Sequence, residues 1–273
     1  MQERHLDRTK YFHEQARTTE RHVIPYLKAY GSLTPSSRVL EIGCGEGGNL
    51  VPLLEMGCEV VGVDYVASRI ALAERMFMGH PQRNKLDLVV ADIYDWQPSN
   101  CTFDVIIMRD VIEHIHDQSR FMEVVKRFMH EDTRFFLAFP PWQNPFGGHQ
   151  QICKNRWLSK LPYFHLLPVP LYRAVLRMGG EQDKTIEDLL EIKETGISLE
   201  RFERICNERS YRIAQRTWWL INPNYEIKFG LQPRKISSLL SWIPWLRNYY
   251  ITCGYYVLQL AQNDKQSHSP NSH

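Results

Sequence analysis

The sequence lacks any C-x-x-C pair: its six cysteines, at 44, 58, 101, 153, 206 and 253, never come within three residues of one another. That excludes the usual zinc and dithiol redox patterns, and the scatter suits reduced thiols in a cytosolic enzyme. No apolar run is long enough to cross a bilayer and mean hydropathy is −0.40, which argues against an integral membrane protein. The opening MQERHLDRTK has no apolar stretch of the kind a secretory signal needs, so a cytoplasmic location is expected. Net charge is only +2, so bulk charge gives no reason to expect nucleic-acid binding. Repeats and low-complexity blocks are absent. What remains is 273 residues, 43% apolar, 12% aromatic and 23% charged, enough to bury a sizeable core.

Residues 1–30 set Phe12, Val23, Ile24, Tyr26 and Leu27 among many charges, as one or two amphipathic helices would. Ser32, Thr34, Pro35, Ser36 and Ser37 then break the chain. From Arg38 the pattern alternates. Strands are expected over 39–42, 59–63, 86–91, 103–108 and 134–139, and helices over 49–56, 67–78 and 117–129. Such alternation predicts a doubly wound, mostly parallel α/β sheet with helices on both faces. Residues 142–180 are rich in Trp, Pro, Leu and Gly and read as an inserted lid. A helix over 199–208, with Ser198 as its N-cap, precedes β-rich runs at 211–220 and 249–260. These would close the sheet as two strands, one antiparallel, seven in all. The polar tail from Asn263 reads as disordered.

The strongest local signal is Val39-Leu40-Glu41-Ile42-Gly43-Cys44-Gly45-Glu46-Gly47-Gly48, a strand running into glycines and then a helix. Glycine permits a tight turn and lets a ligand approach the backbone. Glu41 precedes the first glycine by two residues, Asp64 ends the second strand, and Asp92 follows the third. Asp64 is placed to grip two ribose hydroxyls, and Asp92 with the next amide could hold an adenine edge. An NAD-binding domain shares the glycines, but its pyrophosphate is better served by bare helix N-terminal amides than by Glu41.

From about residue 38 to 142 the sequence resembles class I S-adenosylmethionine-dependent methyltransferases of the type 11 and quinone O-methyltransferase kind. The resemblance implies a Rossmann-like methyltransferase fold and S-adenosyl-L-methionine as cofactor. It also implies that the glycine loop packs on the methionine part, the second-strand acid binds ribose and the third-strand acid binds adenine. These roles fall on Glu41, Gly43, Cys44, Gly45, Asp64, Tyr65, Asp92 and Ile93. Arg109 matches a position that touches the cofactor through its backbone. The chain then divides into a helical cap (1–35), a cofactor-binding core (36–141), an inserted lid (142–196) and a closing helix with strands (197–263). Together these make one domain, followed by a flexible tail (264–273). Tyr11, Phe12 and Arg17 are candidates to close over the cofactor, beside a plain packing role.

Methyl transfer is an in-line displacement, so the protein must align the acceptor and, for a hydroxyl, remove its proton. Two clusters follow the fourth and fifth strands. If Asp110, Glu113 and His114 are helical, they share one face at i, i+3 and i+4, suited to a divalent ion or a base relay. That spacing resembles quinone-pathway O-methyltransferases, where the matching residues hold a metal. Glu113 and His114 also suit a buried hydrogen-bonded structural pair, and no metal ligand is assigned here. The second cluster is Pro140 to Gln150, where Gly147 and Gly148 would let His149 bend toward the crevice as general base. A turn histidine bonded to nearby backbone is the alternative. Trp142 and Phe146 either line the acceptor pocket or anchor the lid.

Between Asp132 and Glu181 there is no acidic residue, yet Arg134, Lys154, Arg156, Lys160, Arg173 and Arg177 all fall there. Residues 227–263 are likewise acid-free and carry Lys228, Arg234, Lys235 and Arg247. Such basicity suits an anionic small-molecule, lipid-linked or saccharide acceptor, or the inner face of an anionic membrane contacted peripherally. A lid whose apolar side covers the sheet or a partner subunit is the plainer reading. The Asn-Pro-Pro-aromatic signature of nucleic-acid amino methylases is missing, with Asp110 in its place, so nucleic acid is not expected. An NAD-dependent oxidoreductase and a non-catalytic cofactor-binding scaffold remain as alternatives.

Overall fold

A computed structural model describes residues 7–30, 33–100 and 102–261, with only the backbone of Leu239. Ser32, Cys101 and the tail from Asn263 lie outside the described residues. The elements run in order: α1 (Arg8–Thr18), a π-helical turn at Thr19–Val23, α2 (Ile24–Lys28), β1 (Arg38–Ile42), α3 (Val51–Glu55), β2 (Glu59–Asp64), α4 (Ala67–Met76) and β3 (Leu86–Val90). Next come β4 (Phe103–Arg109), α5 (Gln118–Val125), β5 (Met129–Phe139), α6 (Val169–Met178), α7 (Asp183–Thr195) and α8 (Leu199–Glu208). The chain closes with β6 (Tyr211–Ile221), α9 (Asn224–Phe229), β7 (Arg234–Lys235), α10 (Ser238–Ser241) and β8 (Cys253–Leu260).

The strands form one sheet in the order β3-β2-β1-β4-β5-β8-β6-β7. β1 to β5 are mutually parallel, and β8 enters antiparallel between β5 and β6. The expected pair of closing strands is therefore present, one of them reversed. An eighth strand of two residues, β7, extends the far edge beyond the seven expected. Both faces are covered, as the near-continuous apolar strands require. Leu40, Ile106, Met108, Phe135, Leu137 and Phe139 pack on one side with α5 and α8 residues. Val39, Val105, Ile107, Phe136 and Ala138 alternate to the other, against Leu27, Leu53 and Ile70.

The order reverses at β1, whose neighbours are β2 and β4, so the carboxyl ends of β1 and β4 open the crevice where such sheets take ligands. The lid is more than a strap. It carries its own apolar cluster, in which Cys153, Leu158, Phe164, Tyr172, Leu176 and Leu189 join the loop to α6 and α7.

Candidate functional site

At the end of β1 the chain turns so that the amides of Gly43 and Cys44 both donate to the Val63 carbonyl, at 2.8 and 3.1 Å. Gly43 has φ +73, and a Cβ there would lie 2.5 Å from Val111 Cγ2, so the turn needs glycine for both conformation and space. Gly45, at φ +55, is different: nothing stands within 4 Å of where its Cβ would be. Of the four glycines in this loop, Gly45 alone borders open space. The Gly45 amide donates to Asp64 Oδ2 (2.9 Å), while Val66 N donates to Asp64 Oδ1 (2.8 Å). Asp64 is only 3% exposed, so it pins the glycine loop to the end of β2. Cys44 fills space beneath the loop, and burial pushes its thiol upward.

Glu41 is 1% exposed and receives Asn49 Nδ2 at Oε1 (2.6 Å), while its Oε2 has no hydrogen-bond partner. Burial pushes its carboxyl up to about 8, against the opposing pull of Asn49 and Arg109. Asn49 Oδ1 in turn accepts from Thr19 Oγ1 (2.8 Å) and Arg109 Nη1 (2.8 Å), and Arg109 Nη2 reaches Asn224 Oδ1 (3.1 Å). A buried polar chain thus runs from β1 through β4 to α9. It floors a small pocket, partly open to solvent, walled by Tyr11, Gln15, Asp110, Asn224 and Lys228.

Of the three candidates in the first helix, Tyr11 reaches this pocket, and burial with Asp110 nearby pushes its phenol up to about 12. Phe12 packs edge-on against Phe77 at 5.6 Å, and Arg17 is exposed. The approach of α1 is close: a Cβ at Gly48 would sit 2.4 Å from the Phe12 carbonyl oxygen. At the third strand, Asp92 is exposed and accepts from Tyr94 N (2.9 Å), Ile93 is buried in the core, and Tyr65 is exposed.

The expected helical face of Asp110, Glu113 and His114 does not form. Asp110 takes φ +55, and only Ile112–His114 makes a 3₁₀ turn. Aspartate tolerates the left-handed region, so the strand can end in a sharp bend there. Glu113 is buried with both carboxylate oxygens lacking hydrogen-bond partners, and burial together with Asp110 holds it well above the usual carboxylate range. His149, not Asp110, completes the cluster: Glu113, His114 and His149 bring ligand-type atoms within 4.8 Å of one another. The two imidazoles meet edge to face at 5.0 Å. The lid fixes this turn, because Thr195 Oγ1 at the end of α7 donates to the Glu113 carbonyl and Gln118 Nε2 bonds the Thr195 carbonyl (2.6 Å).

The glycines before His149 serve packing. A Cβ at Gly147 would lie 2.2 Å from the Trp142 carbonyl oxygen, and one at Gly148 2.3 Å from His165 Cβ. His149 itself takes the left-handed turn, at φ +53. Trp142 anchors the lid: its ring meets His165 at 4.6 Å and covers Gly196. Sequence reasoning missed His165, Asn49, Thr19 and Asn224, which no local motif marks.

His165 is fully buried, bonded through Nε2 to the Trp142 carbonyl (2.9 Å), and burial drives its pKa down to about 4. Its folded value lies below its ordinary 6.5, so the neutral ring stabilises fully above 6.5 and that contribution drains away as pH falls toward 4. Hydrogen exchange over 142–166 is expected to accelerate through that window, with stability falling by up to about 1.4 kcal/mol per pH unit. A pH-independent lid would remove this role.

Residues 11–168 match the sequence model of a family described as a methyltransferase domain. Phosphoethanolamine N-methyltransferase 3 of Arabidopsis thaliana is 36% identical over 168 residues, covering 57% of this chain and 31% of that protein. A ubiquinone biosynthesis O-methyltransferase of Bradyrhizobium sp. (strain ORS 278) is 36% identical over 86 residues, 31% of this chain and 32% of that protein. The chain thus spans about a third of the length of these curated relatives. Geranyl diphosphate C-methyltransferase from Streptomyces coelicolor A3(2), solved with Mg2+, geranyl diphosphate and S-adenosyl-L-homocysteine, shares the fold with a TM-score of 0.53 at 14% identity, covering 86% of this chain and 77% of that one.

Proposed function

The chain belongs to the methyltransferase-domain family, and from that premise we propose that it moves a methyl group from S-adenosyl-L-methionine to an oxygen of a small-molecule or lipid-linked acceptor. The observation that carries the reading is the glycine loop, open above Gly45 and flanked by buried Glu41 with one unpartnered oxygen. These features fit the cofactor: a cradle without side chains, and a buried acid suited to a cationic amino group. When bound, S-adenosyl-L-methionine would supply an electrophilic methyl on its sulfonium. Glu41 and Arg109 would hold the amino-acid end. Gly43, Cys44 and Gly45 form the cradle, Asp64 keeps lone pairs for ribose hydroxyls, and Tyr65, Asp92 and Ile93 would flank adenine.

At the acceptor side, His149 would take the hydroxyl proton. Glu113, its carboxyl pushed up by burial and by Asp110, and His114 would orient that imidazole, with Asp110 between this cluster and the pocket. Relatives named for N-, O- and C-methylation leave the acceptor atom open, and the base cluster favours oxygen. Two of those names, phosphoethanolamine and geranyl diphosphate, denote phosphorylated acceptors, and the acid-free, basic stretch between Asp132 and Glu181 fits an anionic acceptor here too. A second reading has Glu113, His114 and His149 holding a divalent metal; their mutual distances favour it.

No helix among the described residues is long and apolar enough to cross a membrane. We place the protein in the cytoplasm, at the inner face of a membrane where its acceptor is lipid-linked, as one domain and without nucleic acid. Calorimetric titration with S-adenosylhomocysteine and with NADH tests the cofactor: binding of the first alone is expected. Binding of NADH alone would return the chain to the oxidoreductases, and cofactor binding without turnover on any acceptor would make it a scaffold.

A further inference from the structure

Two surface segments far apart in sequence meet beside the lid. Tyr163 Oη donates to the Tyr249 carbonyl at 3.0 Å, and the two rings lie 6.3 Å apart. In the two segments that meet here, large apolar side chains stand in solvent: Trp157 and Trp242 are each 86% exposed, and Leu161, Ile243 and Trp245 are exposed as well.

The aromatic loop is held out by construction. Trp245 takes φ +65, a conformation that bulky residues avoid, and Glu200 holds it there. Glu200 Oε1 accepts from Trp245 N (3.1 Å) and Arg247 Nε (2.9 Å), while Oε2 accepts from Asn248 Nδ2 (2.6 Å). These bonds fix the Trp245 backbone, with its side chain left in solvent. On the lid side, α6 buries Tyr172 and Leu176 and leaves Leu171 and Met178 outward.

Charge tells what covers this surface. Arg156, Lys160, Arg173 and Arg177 make no ion pair among the described residues, and no acid lies between Asp132 and Glu181. Tryptophans with apolar neighbours and unopposed cations are the composition of an interfacial anchor on anionic lipid. A protein partner would need a matching acidic, apolar face; a bilayer presents both chemistries at once.

We propose that Trp157, Leu161, Trp242, Ile243 and Trp245, ringed by Arg156 and Lys160, dock this protein onto an anionic bilayer surface. Its purpose rests on the reading of the acceptor as lipid-linked, but docking itself needs neither cofactor nor turnover. The test is co-sedimentation of the full chain with phosphatidylglycerol–phosphatidylcholine vesicles, against phosphatidylcholine alone, at low and high salt. Wild type is expected to pellet with the anionic vesicles at low salt, and less as salt rises. Lys160→Ala and Arg156→Ala should each weaken binding about fivefold. The Trp157→Ala/Trp242→Ala pair should abolish pelleting while S-adenosylhomocysteine affinity and thermal unfolding stay at wild-type values. Wild type remaining in the supernatant at low salt would overturn the proposal, as would pelleting indifferent to all four substitutions. A dimer in solution that Trp242→Ala dissociates would give the surface to a second copy of the chain instead. S-adenosylhomocysteine binding, measured separately, keeps failure of docking apart from failure of the methyltransferase reading.

Discussion

His149→Ala is expected to lower the methyl-transfer rate by about 10²–10⁴-fold while leaving S-adenosylhomocysteine affinity within about twofold of wild type. The split follows from position. His149 lies in the cluster with Glu113 and His114, whereas the pocket proposed to take the amino-acid end of the cofactor is walled by Tyr11, Gln15, Asn49, Arg109 and Asp110. Loss of a base removes a proton acceptor used in the transition state, so the effect should fall on kcat. Because His149 sits at φ +53, alanine also strains the turn, by about 1–2 kcal/mol. His149→Asn controls for that, since asparagine tolerates the left-handed region and removes the imidazole. Both variants should be equally slow. Full activity in His149→Asn would reduce the residue to a turn former. Dialysis against a chelator separates the two readings of the cluster: the base reading expects no loss, and the metal reading expects a loss restored by divalent ions.

How far the sequence foretold this site depends on how local each feature is. The glycine loop with Glu41 and Asp64 was legible because strand, turn and helix are fixed by neighbours, and Gly43 and Gly45 announce positive φ in their identity. The Arg109–Asn49–Asn224 chain was not. Its partners lie 60 and 115 residues apart, and amides carry no signal of such a role. The Asp110–Glu113–His114 spacing was seen and its geometry misjudged: periodicity presumes a helix, and Asp110 leaves the helical region at once. His149 lies beside Glu113 and His114, but not because of a glycine hinge. The glycines before it are demanded by the Trp142 backbone and the His165 ring, contacts that sequence cannot display. Likewise α9, six residues between β6 and β7, falls between the β-rich runs at 211–220 and 249–260, where no helix is expected, although it supplies a wall of the pocket.

Glu41→Gln is expected to weaken S-adenosylhomocysteine binding about ten- to a hundredfold and to erase a proton release that accompanies it. A hydrogen bond to a charged group contributes about 1.5–3 kcal/mol, which sets that range. The proton follows from burial. With its carboxyl pushed up to about 8, Glu41 in the empty protein is largely protonated at neutral pH. A ligand ammonium beside it favours the carboxylate, lowers that value and expels the proton. Affinity should therefore rise with pH up to about 8 and level off beyond it, as the proton no longer has to leave. Stability of the empty protein runs the other way. The folded value lies above the ordinary 4.5, so the neutral acid's contribution is complete below 4.5 and is lost as pH climbs toward 8. Glutamine, neutral at every pH, should flatten both slopes. Titrations in two buffers of different ionisation enthalpy read the released proton directly. Identical heats in both buffers for wild type below pH 8 would mean that Glu41 does not meet the ligand's cation, and the amino end of the cofactor would have to be placed elsewhere in the crevice.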